Sequence, residues 1–485
     1  MSWAGRPATE IAEAVRQGEV SAVTVVREHL DVIAKRDQAV NAFRLVREQA
    51  LDEARALQDR RDLPDLPLAG VPVAVKDNLE VAGEAPRNGS RATSKVPVAH
   101  DHPAVERLRA AGAVIVGLTN VPELCLVGTG DSHFGTVRNP WNLTRTAGGS
   151  SSGGAAAVAA GMVPLALGND GMGSLRIPAA ACGVLAIKPG AGLVPPPTHP
   201  WRGLSENGPI ATTAADLALA LSVLAADPGL TDAHRYGTRT EPAPRMLRSV
   251  WADEDEDYAF RAPQDLNRTS PEPFDLRVAV SPQPLPPGLP VDAEFQAAAR
   301  AAADALRVAG HTALDRSRRL PVWLGPATVA AWLACAAEDA DELDRTRLEP
   351  RTRALARAGR LLRSLNLDGA RSRARWSDYA ADKWFDTVDV LVTPTLATVP
   401  PRADRWGRRG LLRNVLVNVR YAPATGAWNM CGWPALTVPF ATHSTGLPIG
   451  VQLVAPPGGE PHLLGMAAQL EASRPWPRHA PGYSA

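Results

Sequence analysis

Apolar residues near the start of the chain recur at two spacings, one typical of a helix and one of a strand. Ser21 stands where a helix N-cap would. The apolar residues after it share one helical face: Val23, Val26, Leu30 and Ile33. The run VPVAV at residues 71–75 has the length and β-branched content of a buried strand. The pattern predicts an amphipathic helix that packs on a larger body, followed by a buried strand.

Helical and strand patterns continue to alternate over the first 190 residues. Helices are predicted at 104–111 and 153–160, and strands at 114–116 and 165–167. Gly112 and Gly161 follow the two helices, at the position that favours a C-capping glycine. Such alternation is typical of an α/β sheet, so this part of the chain is interpreted as one continuous unit.

The alternation breaks off between about residues 226 and 275 and then returns. The interrupted stretch is rich in proline and charge, which predicts a surface excursion. Beyond it we expect a strand at 276–280, a helix at about 291–309 and a strand at 388–393. The sequence therefore predicts an α/β fold, with one domain over residues 1–485 and a sheet built from both ends of the chain.

The segment 345–375 is dense in arginine and could be taken for a phosphate-binding face. Acidic residues precede it, at 338, 339, 341, 342 and 344, and no aromatic residue is interleaved. We interpret it as a solvated helical face within a variable helical region of about 320–385.

Charge and cysteine usage narrow the functional class. The chain has 52 basic and 51 acidic residues, a net charge of +1, so no global field attracts nucleic acid or an acidic membrane. The four cysteines are far apart, without a CxxC pair, and are expected to be reduced. The N-terminus lacks the features of a secretory signal, and the most apolar run, 155–168, is too short to span a membrane. We therefore expect a cytoplasmic protein that acts on a small molecule.

Lysine is rare in this chain, and one of its positions is informative. Only five of the 52 basic residues are lysines: Lys35, Lys76, Lys95, Lys188 and Lys383. A buried lysine can lose its proton and act as a base, whereas arginine cannot. Lys76 directly follows the apolar strand in the segment GVPVAVKDN (70–78), where desolvation would lower its pKa. The alternative interpretation is a strand-end lysine that reaches solvent.

Two glycine-rich segments complete the candidate chemistry. In GGSSSGG (148–154), small residues allow close backbone approach and hydroxyls can pass protons, although the string alone is linker-like. It contains GxSxG centred on Ser151, but a turn-rich loop precedes it instead of the strand that a nucleophile elbow requires. In NDGMGSLRIP (169–178), a turn places backbone N–H groups around Ser174, as an oxyanion hole beside a nucleophile requires. The alternative for Ser174 is a tight turn with a capping serine.

The three segments, in this order, closely resemble the amidase signature family of serine hydrolases. The catalytic residues of that family are a serine, a second serine in cis peptide conformation, and a lysine. Flanking stretches are similar to family segments too: 138–161, 175–190 and 446–456. The resemblance covers roughly residues 5–225, 276–310 and 388–472. It implies a large mixed β-sheet covered by helices on both faces, and cleavage of a carboxylic amide without a metal or an organic cofactor.

The resemblance also implies roles for individual residues. It places the base at Lys76, the cis serine that relays protons at Ser150 and the acyl-accepting nucleophile at Ser174. The implied oxyanion donors are the backbone N–H groups of Gly171, Met172, Gly173 and Ser174. The implied supporting residues are Ser151, Asp170 and Arg176.

The sequence departs from the family pattern at three positions. Met172 stands where glycine is usual, and its side chain could narrow the acyl pocket or distort the oxyanion hole. Leu118 replaces a common lysine and Asn169 a common threonine. We expect only packing changes from these last two.

Three other functions are alternatives to an independent amidase of aryl or aliphatic amides. The same fold and residues would serve a glutaminase subunit that passes ammonia to a partner, and Met172 motivates a catalytically weak amidase-like binding protein. The HxH of His100 and His102 suggests a metal hydrolase, but no matching ligand cluster follows, and Asp101 or His102 is expected near a helix N-terminus. The sequence does not determine the substrate or the oligomeric state, and a homodimer is compatible with it. The acyl pocket is expected to involve about 191–275 and 320–385.

Overall fold

The computed structural model describes residues 2–231, 233, 276–286, 288–316 and 318–483. Most of the expected surface excursion at 226–275 lies outside the described residues. Its described beginning contains a left-handed residue, Ala226, and a short 3-10 helix, Pro228–Leu230.

The described elements alternate along the chain as follows. The strands are β1 Phe43–Val46, β2 Pro72–Lys76, β3 Val114–Thr119, β4 Asp131–Ser132, β5 Gly135–Thr136, β6 Arg138–Asn139, β7 Asn142–Thr146, β8 Leu165–Asp170, β9 Leu185–Lys188, β10 Glu206–Ala211, β11 Arg277–Val280, β12 Thr312–Asp315, β13 Val390–Pro394, β14 Ala435–Thr442 and β15 Pro448–Val454. The helices are α1 Ala8–Arg16, α2 Ala22–Val40, α3 Ala50–Gln58, α4 Pro103–Ala110, α5 Ser152–Ala159, α6 Arg176–Cys182, α7 Ala214–Ala225, α8 Ala293–Val308, α9 Leu324–Asp341, α10 Pro350–Ser364, α11 Ala370–Lys383, α12 Leu411–Tyr421, α13 Gly426–Met430 and α14 Glu460–Ser473.

One large mixed sheet forms the centre of the molecule. Among the described residues it contains eleven strands, in the order β1-β3-β2-β8-β10-β9-β14-β15-β13-β11-β12. Strands β3, β2 and β8 are parallel, as are β13, β11 and β12, and the strands between these two groups are antiparallel. Helices α5 and α6 cover one face and α7, α8 and α14 the other. The predicted α/β fold, with a mixed sheet drawn from both ends of the chain, is confirmed.

Most of the predicted elements are confirmed, with changes at their ends. The Ser21 hydroxyl accepts a hydrogen bond from the Thr24 N–H and so caps α2. Strand β2 is buried along its whole length, as an apolar strand covered on both faces must be. Strand β8 continues to Asp170, three residues beyond the predicted end. This extension matters because β2 and β8 are parallel neighbours, so Lys76 and Asp170 both lie at the carboxyl edge of the sheet.

The arginine-rich segment is only in part the solvated face that we expected. Arg360 of α10 is partly exposed and pairs with Asp341, one of the acidic residues that precede the segment. Arg351, in contrast, is buried, and its guanidinium pairs with the buried Asp131 at 2.9 Å. The expectation is wrong for Arg351, because a buried arginine with a carboxylate partner is a structural ion pair. None of the described helices combines the length and hydropathy that a bilayer crossing needs.

A cluster of aromatic rings packs α11 against α13, close to the carboxyl edge of the sheet. Trp376 contacts Trp384 and Trp428 with ring centroids 6.2 and 5.7 Å apart. The Trp376 indole also donates to the carbonyl oxygen of Ala427 at 2.7 Å. Such buried rings contribute large apolar areas, so they fix the position of the short helix α13. This helix carries Asn429, whose side chain contacts Asp170 and Arg176.

Candidate active site

Lys76 is buried at the end of β2 and makes three polar contacts. Its Nζ donates to Ser150 Oγ at 2.9 Å, to the Asn169 carbonyl oxygen at 3.1 Å and to Asn169 Oδ1 at 2.5 Å. Burial lowers the pKa of Lys76, against the opposing effect of the Cys125 thiol and the Asp170 carboxylate. The lysine is thus placed to exchange a proton with a serine hydroxyl.

The loop before α5 presents Ser150 to this lysine. The Gly149–Ser150 peptide bond is cis. A Cβ at Gly149 would lie 2.5 Å from the Val127 carbonyl oxygen, so the close approach of two backbone segments requires glycine here. Ser151 points elsewhere, since its hydroxyl donates to the Asn169 carbonyl oxygen at 3.2 Å and its N–H to the Ser174 carbonyl oxygen at 3.0 Å. Ser151 is therefore a buried link between two loops.

The turn between β8 and α6 carries Ser174. Within the described residues, the backbone N–H groups of Gly171, Met172 and Ser174 have no protein acceptor. The N–H of Gly173 differs, because it donates to the Asp170 carboxylate at 2.5 Å. This corrects the expectation for Gly173: its N–H is engaged inside the protein and is not available to a substrate oxygen. Three free donors remain beside the Ser174 hydroxyl.

Asp170 and Arg176 form a buried ion pair behind this turn. The Arg176 Nε donates to Asp170 Oδ2 at 2.8 Å, and both side chains are fully buried. Burial alone would raise the pKa of Asp170, but Arg176, with help from Asn429, holds that pKa well below its usual range. Asp170 also accepts from the N–H groups of Gly173 and Leu175. The ionised carboxylate therefore fixes the turn that presents Ser174.

Arg176 connects the turn to the C-terminal part of the chain. Its guanidinium donates to the Thr425 carbonyl oxygen at 2.9 Å, to Gln452 Oε1 at 2.7 Å and to Asn429 Oδ1 at 2.6 Å. No expectation from the sequence included these three partners of Arg176. Gln452 lies in the stretch 446–456, which resembles a segment of the amidase signature family. That resemblance could have indicated Gln452. Thr425 and Asn429 belong to no motif that the sequence analysis identified.

Ser150 and Ser174 open onto the same cavity. The other residues that line it are Asn78, Asn88, Leu124, Cys125, Asn169, Gly171, His199, Trp201, Ser205 and Asp339. Residues of both expected stretches, 191–275 and 320–385, contribute to this lining. The Cys125 thiol donates to Asn88 Oδ1 at 3.2 Å, and burial raises its pKa, so it stays protonated. All four cysteines are buried and free.

Met172 does not belong to the residues that line this cavity. Its side chain packs partly buried against the core, and its Sδ lies 3.2 Å from the position of a Cβ at Gly426. Its carbonyl oxygen accepts from Thr425 Oγ1 at 3.0 Å. The glycine at 426 leaves space for the Met172 side chain, so the expected narrowing of the pocket by Met172 is not seen.

The structure confirms the expectation for Leu118, contradicts the one for Asn169 and places His102 at a helix N-terminus. Leu118 is buried in β3 opposite Val75, as a packing residue should be. Asn169 corrects the expectation of a packing change, because it contacts Lys76 directly and its Nδ2 donates to Asn78 Oδ1 at 3.0 Å. His102 caps α4: the Ala104 N–H donates to its Nδ1 at 3.1 Å, and its Nε2 lies 2.9 Å from the Pro196 carbonyl oxygen.

Known proteins share the sequence pattern and the fold of this chain. The family model named Amidase matches residues 24–464. The chain belongs to the amidase family. This amidase is 38% identical to the protein named AmiB2 of Mycobacterium tuberculosis, over 100% of this chain and 99% of AmiB2. It is 33% identical to the 6-aminohexanoate-cyclic-dimer hydrolase of a Pseudomonas species, over 98% of this chain and 96% of that enzyme.

A solved structure also has the same fold. It is a bacterial aryl acylamidase of the amidase signature enzymes, 24% identical, with a TM-score of 0.78 over 97% of this chain and 96% of that one. This structure confirms the expected fold, and the family model over residues 24–464 confirms the expected resemblance to the amidase signature family. This amidase hydrolyses carboxylic amides, and small-molecule amides are its class of substrate.

Proposed function

We propose that Ser174 is the nucleophile of this amidase, with Ser150 as proton relay and Lys76 as general base. The single observation that carries the proposal is the buried contact of Lys76 Nζ with Ser150 Oγ at 2.9 Å, on a cavity that Ser150 and Ser174 share. Burial lowers the pKa of Lys76, which increases the fraction of neutral amine that can accept a proton.

Acylation follows from proton transfer along these three side chains. Neutral Lys76 accepts a proton from Ser150 Oγ, which takes the proton of Ser174 Oγ as that oxygen attacks the amide carbonyl carbon. The negative charge on the carbonyl oxygen is stabilised by the free N–H groups of Gly171, Met172 and Ser174. The proton then passes back along the relay to the leaving nitrogen, the C–N bond breaks and an ester to Ser174 remains.

Hydrolysis of the ester repeats the relay with water. Ser150 and Lys76 take a proton from the attacking water, and the carboxylic acid leaves from Ser174 as its hydroxyl regains a proton. Each proton that is taken up is returned, so the cycle needs no external acid. Asp170, Arg176 and Ser151 act as positioning residues. Ser151 connects the Ser150 loop to the Ser174 turn, and the ion pair of Asp170 with Arg176 holds that turn from behind.

We infer that the chain acts alone as an amidase in the cytoplasm. Buried, free cysteines suit a reducing compartment. A relative that matches nearly the whole chain is named a hydrolase of the 6-aminohexanoate cyclic dimer, which is a substrate other than glutamine. A glutaminase role would instead require glutamine and a partner protein, and a binding role would require that Ser174 is unreactive.

The test is an amide panel with the purified chain alone, read as ammonia release. Wild type, Lys76→Ala, Ser150→Ala and Ser174→Ala are compared, and we expect Ser174→Ala to lower kcat/KM by at least about 10³-fold. A fluorophosphonate probe should label wild type and fail to label Ser174→Ala. Lys188→Met is the matched control, since Lys188 is a second buried strand-end lysine that does not line the cavity. This variant should retain labelling, and undiminished turnover by Ser174→Ala would refute the proposal.

A further inference from the structure

Asp339 is the one carboxylate on the cavity lining, counted over the residues that the structure describes. It lies near the C-terminal end of α9, which the catalytic proposal does not use. Its Oδ2 accepts from the Trp201 indole Nε1 at 2.8 Å, and within the described part of the chain its Oδ1 has no donor. A carboxylate in a partly enclosed site with one oxygen unpaired favours a ligand that supplies a donor.

Trp201 connects Asp339 to the loop that carries Ser174. A Cβ at Gly171 would lie 2.6 Å from Trp201 Cε3, so the indole packs directly on the backbone at Gly171. The opposite edge of the same ring holds Asp339. One indole ring therefore separates the carboxylate from the free N–H groups beside Ser174, and both border the same cavity.

The position of this ring is fixed by ion pairs. Trp201 and Arg202 both have left-handed backbone, with φ of 51° and 54°, which costs free energy in residues other than glycine. The Arg202 guanidinium holds the conformation by pairing with Glu338 and with Asp368, each at 2.5 Å. The indole is thus positioned before any ligand arrives, which lowers the entropic cost of binding.

The charges around Asp339 favour a cationic ligand. No lysine or arginine belongs to the cavity lining in the described part of the chain, and Arg202 is already paired. Glu338 and Glu342 add negative charge nearby. The other titratable groups close to Asp339 are His199 and the neutral thiols of Cys125 and Cys335. Burial, together with the two glutamates, raises the pKa of Asp339 to about 7, against the hydrogen bond from Trp201 and the effect of His199. A bound cation would lower the pKa of Asp339 and so favour its ionised form.

We propose that Asp339 binds a protonated amine on the acyl chain of the substrate, so that amino-bearing amides are the preferred substrates of this amidase. The proposal rests on the catalytic role of Ser174. An ammonium group supplies both the charge and the N–H donors that Asp339 Oδ1 lacks, whereas an alkyl or aryl group supplies neither.

The test compares primary amides that differ only in one group. Glycinamide, 4-aminobutanamide and 6-aminohexanamide are paired with the uncharged amides in which a methyl group replaces the ammonium: propanamide, pentanamide and heptanamide. For wild type, we expect kcat/KM to be at least about tenfold higher for the amine in the chain length that spans the cavity. In Asp339→Asn, which keeps an acceptor for Trp201, that ratio should fall below about twofold.

Two further variants separate the local contact from general effects. Glu342→Gln removes a negative charge from an exposed residue outside the cavity lining, and because water screens such a charge the ratio should stay within about twofold of the wild-type value. Trp201→Phe removes the donor that orients Asp339 and should lower the ratio. A wild-type ratio of one or less at every chain length overturns the proposal whether or not the variants fold, as does an unchanged ratio in Asp339→Asn. If wild type cleaves heptanamide in a Ser174-dependent way without favouring the amine, the catalytic proposal stands and this one fails.

Discussion

Asn169→Ala tests the role of Lys76 as a base through its pKa. In the structure, Lys76 Nζ donates to three acceptors, and Asn169 Oδ1, at 2.5 Å, is the nearest of them. An acceptor stabilises the ammonium form, so its removal favours the neutral amine. A hydrogen bond to a charged group contributes about 1.5–3 kcal/mol, which corresponds to roughly 1–2 pKa units. Because water in the cavity can replace part of the lost bond, we expect the pKa of Lys76 to fall by about one unit.

The assay is the pH dependence of kcat/KM, which reports groups of the free enzyme. Neutral Lys76 is the active form, so activity rises with pH through the pKa of this lysine. In Asn169→Ala the rising limb should move to lower pH by about one unit. Asn169→Asp places a negative charge beside the lysine and should move the same limb to higher pH. If neither substitution displaces the limb, or if both displace it in the same direction, Lys76 is not the base.

Three further predictions concern the turn that presents Ser174. Gly173→Ala should lower the unfolding free energy in urea by about 2 kcal/mol or more, because φ is 111° and a Cβ would overlap Thr425 Oγ1. Thr425→Val removes the hydrogen bond to Met172 and should lower kcat about fivefold without changing KM, measured under saturation. Arg176→Met leaves Asp170 buried without its partner and should cost about 3–5 kcal/mol of stability, measured by urea denaturation; a loss below 1 kcal/mol would contradict this.

Local signals in the sequence were enough to predict much of the fold and the candidate residues of the site. A rare lysine after a buried strand indicated Lys76, and glycine-rich turns indicated the two serine loops, because desolvation and backbone approach depend on nearby residues. The family resemblance then supplied the cis peptide at Ser150, which no local pattern would have indicated.

Contacts between distant parts of the chain were the part that could not be predicted. The extension of β8 to Asp170 and the consequent bond between Asn169 and Lys76 depend on the pairing of two parallel strands. Asp339 lies in an acidic stretch that is typical of a solvated helix, and only the packing of α9 against Trp201 places it on the cavity. The engagement of the Gly173 N–H depends on a carboxylate orientation that Arg176 enforces.

The acceptors of Arg176 determine how late in synthesis the site can be completed. The three residues that we propose for chemistry are all translated before residue 175, yet the guanidinium behind them completes its bonds only with Asn429 and Gln452. A nascent chain on the ribosome therefore carries Ser174 for more than half of its synthesis without the C-terminal residues that hold Arg176 in place. Competence to cleave amides is acquired late, when the C-terminal segment emerges and closes the structure.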